Sequence, residues 1–306
     1  NKIFKVVWNK SKNCYVVVSE FAKNNSGKKK VVVAAVFAAL AMAQGGTSMA
    51  ANDTPTSLNP TSVGFGSGAS VSGAWAVGLG KGATVNTNSS VGIGYGANAA
   101  TDESVAIGKD SLANGGTTIA IGTNAKVKGS KQGIAIGAGR LDTEGAIVEG
   151  DQSIAIGGNT IARGHASVVI GGDDTDTANS QTVTYTDINS GSLVTASLKD
   201  AVQKLTGVDL TNPHWTPATS GHAGITVGMK ANTGNASIAI GTAADAKTRI
   251  TGSTSTADVT NAVAIGTGAK ANRDNSVALG GGSTTDIAGT KQTSYTLPSG
   301  VVAAWE

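Results

Sequence analysis

Several groups of residues in this chain have the types that catalysis or ligand binding requires. Glycine pairs such as Gly64-Phe-Gly66 resemble the opening of a phosphate-cradling loop. That chemistry needs a helix directly behind the glycines, so that its N-terminus can face the anion. Here the pairs recur every fourteen residues with no helix behind them, and they read as turns. Asp173, Asp174 and Asp176 have the carboxylates for calcium. They lack the glycine and distal glutamate of an EF-hand loop and miss the nonapeptide of calcium β-rolls, so they read as a solvated loop. His165, His214 and His222 do not share metal-ligand spacing and read as surface or structural residues. Trp75, Trp215 and Trp305 are isolated and read as packing at insert edges. The only cysteine is Cys14, close to the start. If that segment is a cleaved leader, disulfides, thiolate metal sites and cysteine nucleophiles are excluded from the mature chain. No catalytic, cofactor or metal site is expected.

The elements that would position such residues are unusual. Glycine numbers 43 of 306 residues and aromatics make up 4 %, while the apolar residues are mostly Ala, Val and Ile. That composition suits a thin, regular β structure with many tight turns. The net charge of +3 misleads, because eight of the 23 basic residues, against one acid (Glu20), lie within residues 1–43. The remainder carries fifteen basic and nineteen acidic residues and is mildly acidic, so the basic pI gives no ground for nucleic-acid binding.

One five-residue unit recurs twelve times, from Ser62–Gly66 to Ser276–Gly280, with the ideal form Ser-Val-Ala-Ile-Gly at Ser104–Gly108. Its final glycines at 66, 80, 94, 108 and 122 are fourteen residues apart, and later gaps of 15, 20 and 25 are the same turn with loop insertions. Positions 2 and 4 are large and apolar, which with period-two alternation predicts a strand with one buried face. The expected repeat core is therefore Val105, Ile107, Ile119, Ile121, Ile154, Ile156, Ile238 and Ile240. Position 3 is Gly or Ala in ten copies, the others being Val169 and Thr226. This predicts a smooth strip on the opposite face, which permits close approach of another surface and suggests packing between chains. A second short alternation, as at Ala69 and Val71 or Ala83 and Val85, predicts a return strand with small inward residues. Fourteen residues then make one coil of a parallel β-roll, stabilised by coils above and below.

The start has the form of an export signal. Lys28-Lys29-Lys30 is a basic n-region, Val31–Ala43 an uncharged apolar run, and Ala41-Met42-Ala43 a small-x-small cleavage site. Cleavage is expected between Ala43 and Gln44, with Ala50 the alternative. As a helix the run would span about 20 Å, short of the roughly 30 Å hydrocarbon core of a membrane. Residues 1–30, beginning Asn1-Lys-Ile-Phe-Lys-Val-Val-Trp, resemble the extended signal peptide region of large autotransporters. The family version starts with Met, so the initiator is expected to have been trimmed. The resemblance implies Sec-dependent export in a Gram-negative bacterium.

Ser-Val-Ala-Ile-Gly followed by x-x-Ala-x-Ala, as in Ser90–Ala99, resembles the head repeat of YadA-like trimeric autotransporter adhesins. The resemblance covers residues 62–171 and 224–285. It implies an all-β, left-handed parallel β-roll, three chains side by side, and an adhesin head that catalyses nothing. The implied partners are two further copies of the chain, host extracellular matrix proteins such as collagen, fibronectin or laminin, and the Sec and outer-membrane assembly machinery. The implied location is the bacterial cell surface and outer membrane, reached through the periplasm. Expected divisions are a signal at 1–43, a lead at 44–61, roll at 62–171, an insert at 172–223, roll at 224–285, and the start of a further insert or neck at 286–306. The first insert, with Thr182-Val-Thr-Tyr-Thr and a helix expected at Leu193–Leu205, resembles the family's head insert motif. Neither stalk nor membrane anchor is legible. Ligand contacts are expected to be spread over the roll surface. A structural spacer without its own ligand and a β-helix polysaccharide-active enzyme are the alternative readings.

Overall fold

The computed structural model describes residues 4–9, 12–19 and 59–285, except 174–175, 188, 212–215, 251–252 and 254, together with strands Ser294–Thr296 and Val302–Ala304. The chain divides into two units, Asn1–Asn52 and Asp53–Glu306. In the first, Phe4–Asn9 and Cys14–Ser19 form an antiparallel hairpin. Both strands are rich in valine, which suits a pleated surface, and Asn13 takes the left-handed turn conformation at φ +50°. Trp8 and Tyr15 face each other edge-on with ring centroids 4.8 Å apart.

In the second unit all twelve pentads form three-residue strands of one parallel sheet, whose spatial order is the sequence order. The return segments form a second parallel sheet of ten strands, from Ser70–Val71 to Asp245–Ala246. The chain is thus the expected all-β roll of stacked coils. Residues in register carry the same pentad position, as where Ala120 pairs with both Ala106 and Ala135. The pentad-closing glycine is required twice over. Gly108 has φ +129°, and a Cβ there would lie 2.5 Å from the carbonyl oxygen of Gly122 on the next coil.

The two faces of the pentad strand are the reverse of the expectation. Position 3 points into the chain's own core: Ala106, Ala120, Ala135, Ala155 and Ala239 are fully buried. The expected core residues Val105, Ile107, Ile119, Ile121, Ile154 and Ile238 are only half-buried, and Ile156 and Ile240 are exposed, all on the outer face of the twelve-stranded sheet. Period-two alternation identifies two faces but not which is inside. The usual rule, large apolar residues inward, fails because the two sheets of a coil lie too close to hold two layers of isoleucine. At Gly78 a single added methyl would come within 2.3 Å of Val71 Cγ2 on the return strand. The return strands are as expected, with Ala69, Val71, Ala83, Val85, Ala97 and Ala99 buried.

The insert leaves the roll without disturbing its register. Val168–Ile170 pairs directly with Ile225–Val227, and Thr160–Ala162 pairs with Ala218–Ser220. The segment expected as insert at 172–223 therefore rejoins the roll by Ala218. Within it, Thr182–Thr186 and Leu193–Ser197 form an antiparallel hairpin, followed by a helix at Leu198–Thr206. The expected helix at Leu193–Leu205 is thus strand over its first five residues. The β-branched Val194 and Thr195 favour a strand, and the Thr195 and Thr184 hydroxyls lie 3.0 Å apart across the hairpin. Ser197 then caps the helix by accepting the Asp200 N–H at 3.3 Å. The buried Leu210 accepts the Lys230 ammonium on its carbonyl at 2.6 Å, tying the insert to a later coil.

The apolar core is broken once. One cluster of buried residues ends at Ala218 and the next begins at Ala231. Between them lies a layer of hydroxyls. Thr226, fully buried, donates to the Thr219 carbonyl at 2.9 Å and lies 2.8 Å from the Thr233 hydroxyl, while the Ser220 hydroxyl reaches Ser167 at 2.8 Å.

Candidate binding surface

Each coil offers three surfaces: the outer face of the pentad sheet, the outer face of the return sheet, and the corners that join them. The first is an unbroken apolar strip, because positions 2 and 4 are Val, Ile, Leu or Phe in every strand. Exposure is greatest at its two ends, at Val63 (53 %) and Leu279 (69 %). A contiguous apolar face of this kind marks a surface that another surface covers.

The return sheet is mostly polar outside, with Leu112, Ile147 and Ile161 the apolar members of its outward column. Lys126 pairs with Asp142, whose carboxyl is held below its usual range by the hydrogen bond and charge of that lysine. Glu149 lies 3.7 Å from both Lys128 and Arg163. At the corner after the pentad, Tyr95 projects between Lys81 and Lys109, each ammonium 5.9 Å from the ring centroid. The same corner carries a hollow of about 340 Å³ between the 138–145 loop and the root of the insert, lined by Arg140, Glu144, Asn159 and Asp173.

The opposite corner is built from two ladders that the sequence reading did not recognise. Pentad position 1 carries a hydroxyl in eight of the twelve copies, buried in six of them, and adjacent ones form a ladder: Ser104 N–H donates to Ser90 Oγ at 3.2 Å, and Ser167 N–H to Ser153 Oγ at 3.1 Å. Two residues before seven of the twelve pentads stands a side-chain acceptor, at Asn88, Asp102, Asp151, His165, His222, Asn235 and Asp274. Ala74 N–H donates to Asn88 Oδ1 at 3.0 Å, Asn88 N–H to Asp102 Oδ1 at 2.7 Å, and Thr260 N–H to Asp274 Oδ1 at 2.8 Å. The signal was present in the sequence, as a recurrent Ser or Thr at position 1 and a recurrent Asn, Asp or His two residues earlier.

The singled-out residues fall into these places. His165 and His222 belong to the acceptor column, their rings stacked 5.1 Å apart. Asp173 is buried and accepts from Asn159 Nδ2 at 2.8 Å. Gly66 is a turn residue at φ +130°, and Trp75 is 70 % exposed. The cleavage residues Ala43 and Gln44, and likewise Asp174, His214, Trp215 and Trp305, lie outside the described residues. Among the described residues no group of His, Cys, Asp and Glu is placed to hold a metal ion, and no helix is long and apolar enough to cross a membrane.

Comparison with known families agrees with this architecture. The family described as the extended signal peptide of the type V secretion system matches residues 1–49. The YadA head domain repeat matches residues 88–111, 113–139, 149–173 and 260–283. The coils flanking these matches continue the same two sheets. No curated protein sequence matches the chain.

Proposed function

We infer that this trimeric autotransporter adhesin, marked as such by its extended signal peptide and YadA head repeats, uses the pentad sheet to assemble and its remaining surfaces to bind. The observation that carries this reading is the apolar outer strip. Fully burying an exposed branched side chain contributes about 1.5–3 kcal/mol, and the strip offers two per coil. Most of them are already half-buried within one chain, so that covering the strip adds part of that for each. Three copies packed through it would form the head that the family implies. The return sheet and corners then face outward, three times over, toward a ligand.

That ligand is an extracellular matrix protein such as collagen, fibronectin or laminin, or a host cell-surface component. Its contacts are distributed over successive coils, with avidity across three chains in place of one deep site. Export runs through the Sec and outer-membrane assembly machinery, and the head is displayed at the outer membrane. Solid-phase binding of the purified head to collagen, fibronectin and laminin tests the reading. Saturable binding to one of them is expected, lost when several coils are deleted and little changed by single outward alanine substitutions. Failure to bind any matrix protein or host cell would favour a spacer.

A further inference from the structure

The acceptor column has two members whose accepting atom is an imidazole nitrogen. The Asp151 N–H donates to His165 Nδ1 at 3.0 Å, and the His165 N–H donates to His222 Nδ1 at 3.0 Å. The rings stack with 21° between their planes. Both histidines are exposed, so protons reach them freely. We propose that His165 and His222 form an acid-sensitive joint that opens the corner of the roll where the insert interrupts it.

A ring nitrogen accepts a hydrogen bond only while it is bare. Protonation turns Nδ1 into a donor, and each backbone N–H then faces another N–H. Histidine is the side chain whose ordinary titration falls between about pH 5 and 8, whereas the asparagine rungs at Asn88 and Asn235 have no proton to gain. Each bond therefore holds only while the imidazole that accepts it carries no proton on Nδ1.

The surrounding charges make the two rings unequal. Asp151 Oδ2 lies 3.9 Å from His165 Nδ1, so a protonated His165 has a carboxylate to turn to. That carboxylate is itself engaged by the Lys131 N–H at 2.8 Å through Oδ1. Arg163, two residues before His165, is directed to Glu149 at 3.7 Å. On the far side, Asn235 accepts the His222 N–H at 3.0 Å and carries no charge. Among the described residues no carboxylate pairs with His222. The second proton thus places two cations in stacked rings with a carboxylate only on the His165 side. The rung that fails is His165 N–H to His222, which spans 57 residues of sequence and joins the coil before the insert to the coil after it.

The same seam is where the apolar core gives way to the Thr219, Thr226 and Thr233 hydroxyls. An opened corner there exposes little apolar surface, so the joint can move without unfolding the coils on either side.

Amide hydrogen exchange on the exported chain at about pH 7.5 and about pH 5 tests the proposal, after correction for the chemical pH dependence of exchange. The Ala74 amide, held by the non-titrating Asn88, serves as reference. Relative to it, the His165 amide is expected to lose about five-fold in protection on acidification, the equilibrium factor of roughly one net hydrogen bond. The double substitution His165→Asn and His222→Asn supplies the acceptor that Asn88 and Asn235 already provide in this column, and should abolish the response. Unchanged protection of the His165 amide in the unsubstituted chain would overturn the proposal. So would an acid response that survives in the double variant.

Discussion

Gly78→Ala tests how close the two sheets of a coil lie. Gly78 sits on a pentad strand without positive φ, so alanine is conformationally acceptable there and by itself favourable. The obstacle is steric. The new Cβ would lie 2.3 Å from Val71 Cγ2 and 3.4 Å from Val85 Cγ2. The second distance is ordinary contact, whereas the first demands that Val71 or its strand move. Both valines are fully buried, so neither has open space to enter. Overpacking of this kind costs about 1–3 kcal/mol. Val71→Ala alone removes two buried methyl groups and costs about 2 kcal/mol. The double variant recreates the alanine-on-alanine arrangement found where Ala106 follows Ala99 and Ala120 follows Ala113. Its cost should fall below the sum of the singles by about 1–2 kcal/mol, a coupling typical of residues in direct contact. In the two lengthened coils Val127 and Val148 precede Ala135 and Ala155, so the matching is not strict and a full rescue is not expected. Urea unfolding followed by circular dichroism on the four proteins gives the cycle. Additive costs, within about 0.5 kcal/mol, would refute the claim that these two side chains share one space.

Other outcomes follow from the same geometry. Ala120→Glu puts an unpaired carboxylate into the chain's own core at a cost of several kcal/mol, and should unfold the coil at any protein concentration. Ile121→Asp lies on the outer strip and should leave the coils folded while shifting sedimentation equilibrium from trimer to monomer; a folded Ala120→Glu or a trimeric Ile121→Asp would count against the assignment of faces. The Asp274 carboxyl is held below its usual value by the Thr260 N–H and by Arg249 at 2.8 Å. Its stabilisation is therefore complete above the ordinary carboxylate range and lost as pH falls through the lowered value, and Asp274→Ala should flatten that part of an acid melting series while leaving any change near pH 6 untouched. N-terminal sequencing of the exported protein should begin at or near Gln44, and a mature chain retaining Asn1 would contradict the signal reading.

Much of this fold was legible because the pentad is short and strict. Fixed glycines at fourteen-residue spacing announce a turn in every coil, and each pentad is a strand of the twelve-stranded sheet. What could not be read was direction. Alternation places Ala120 and Ile121 on opposite faces, but the depth of the space between sheets decides which faces inward, and that depth depends on the return strand seven residues away. The insert failed for a related reason: Leu193–Leu205 has helical composition only in its second half, and the hairpin partner at Thr182–Thr186 claims the first. The acceptor column was missed because Asn, Asp and His look unlike one another as residues, although each offers one acceptor atom at the same place.

The direct pairing of Val168–Ile170 with Ile225–Val227 has a consequence for scale. The intervening residues add nothing to the stack, since the next strand is laid down one strand spacing on, as if nothing had been inserted. Reach is therefore measured in pentads and not in residues. With strands about 4.8 Å apart, the eleven steps between twelve pentad strands set a column roughly 53 Å tall. A bacterium could decorate the corners of such a column with loops of any size while keeping its height, and could change its height only by adding or losing whole coils.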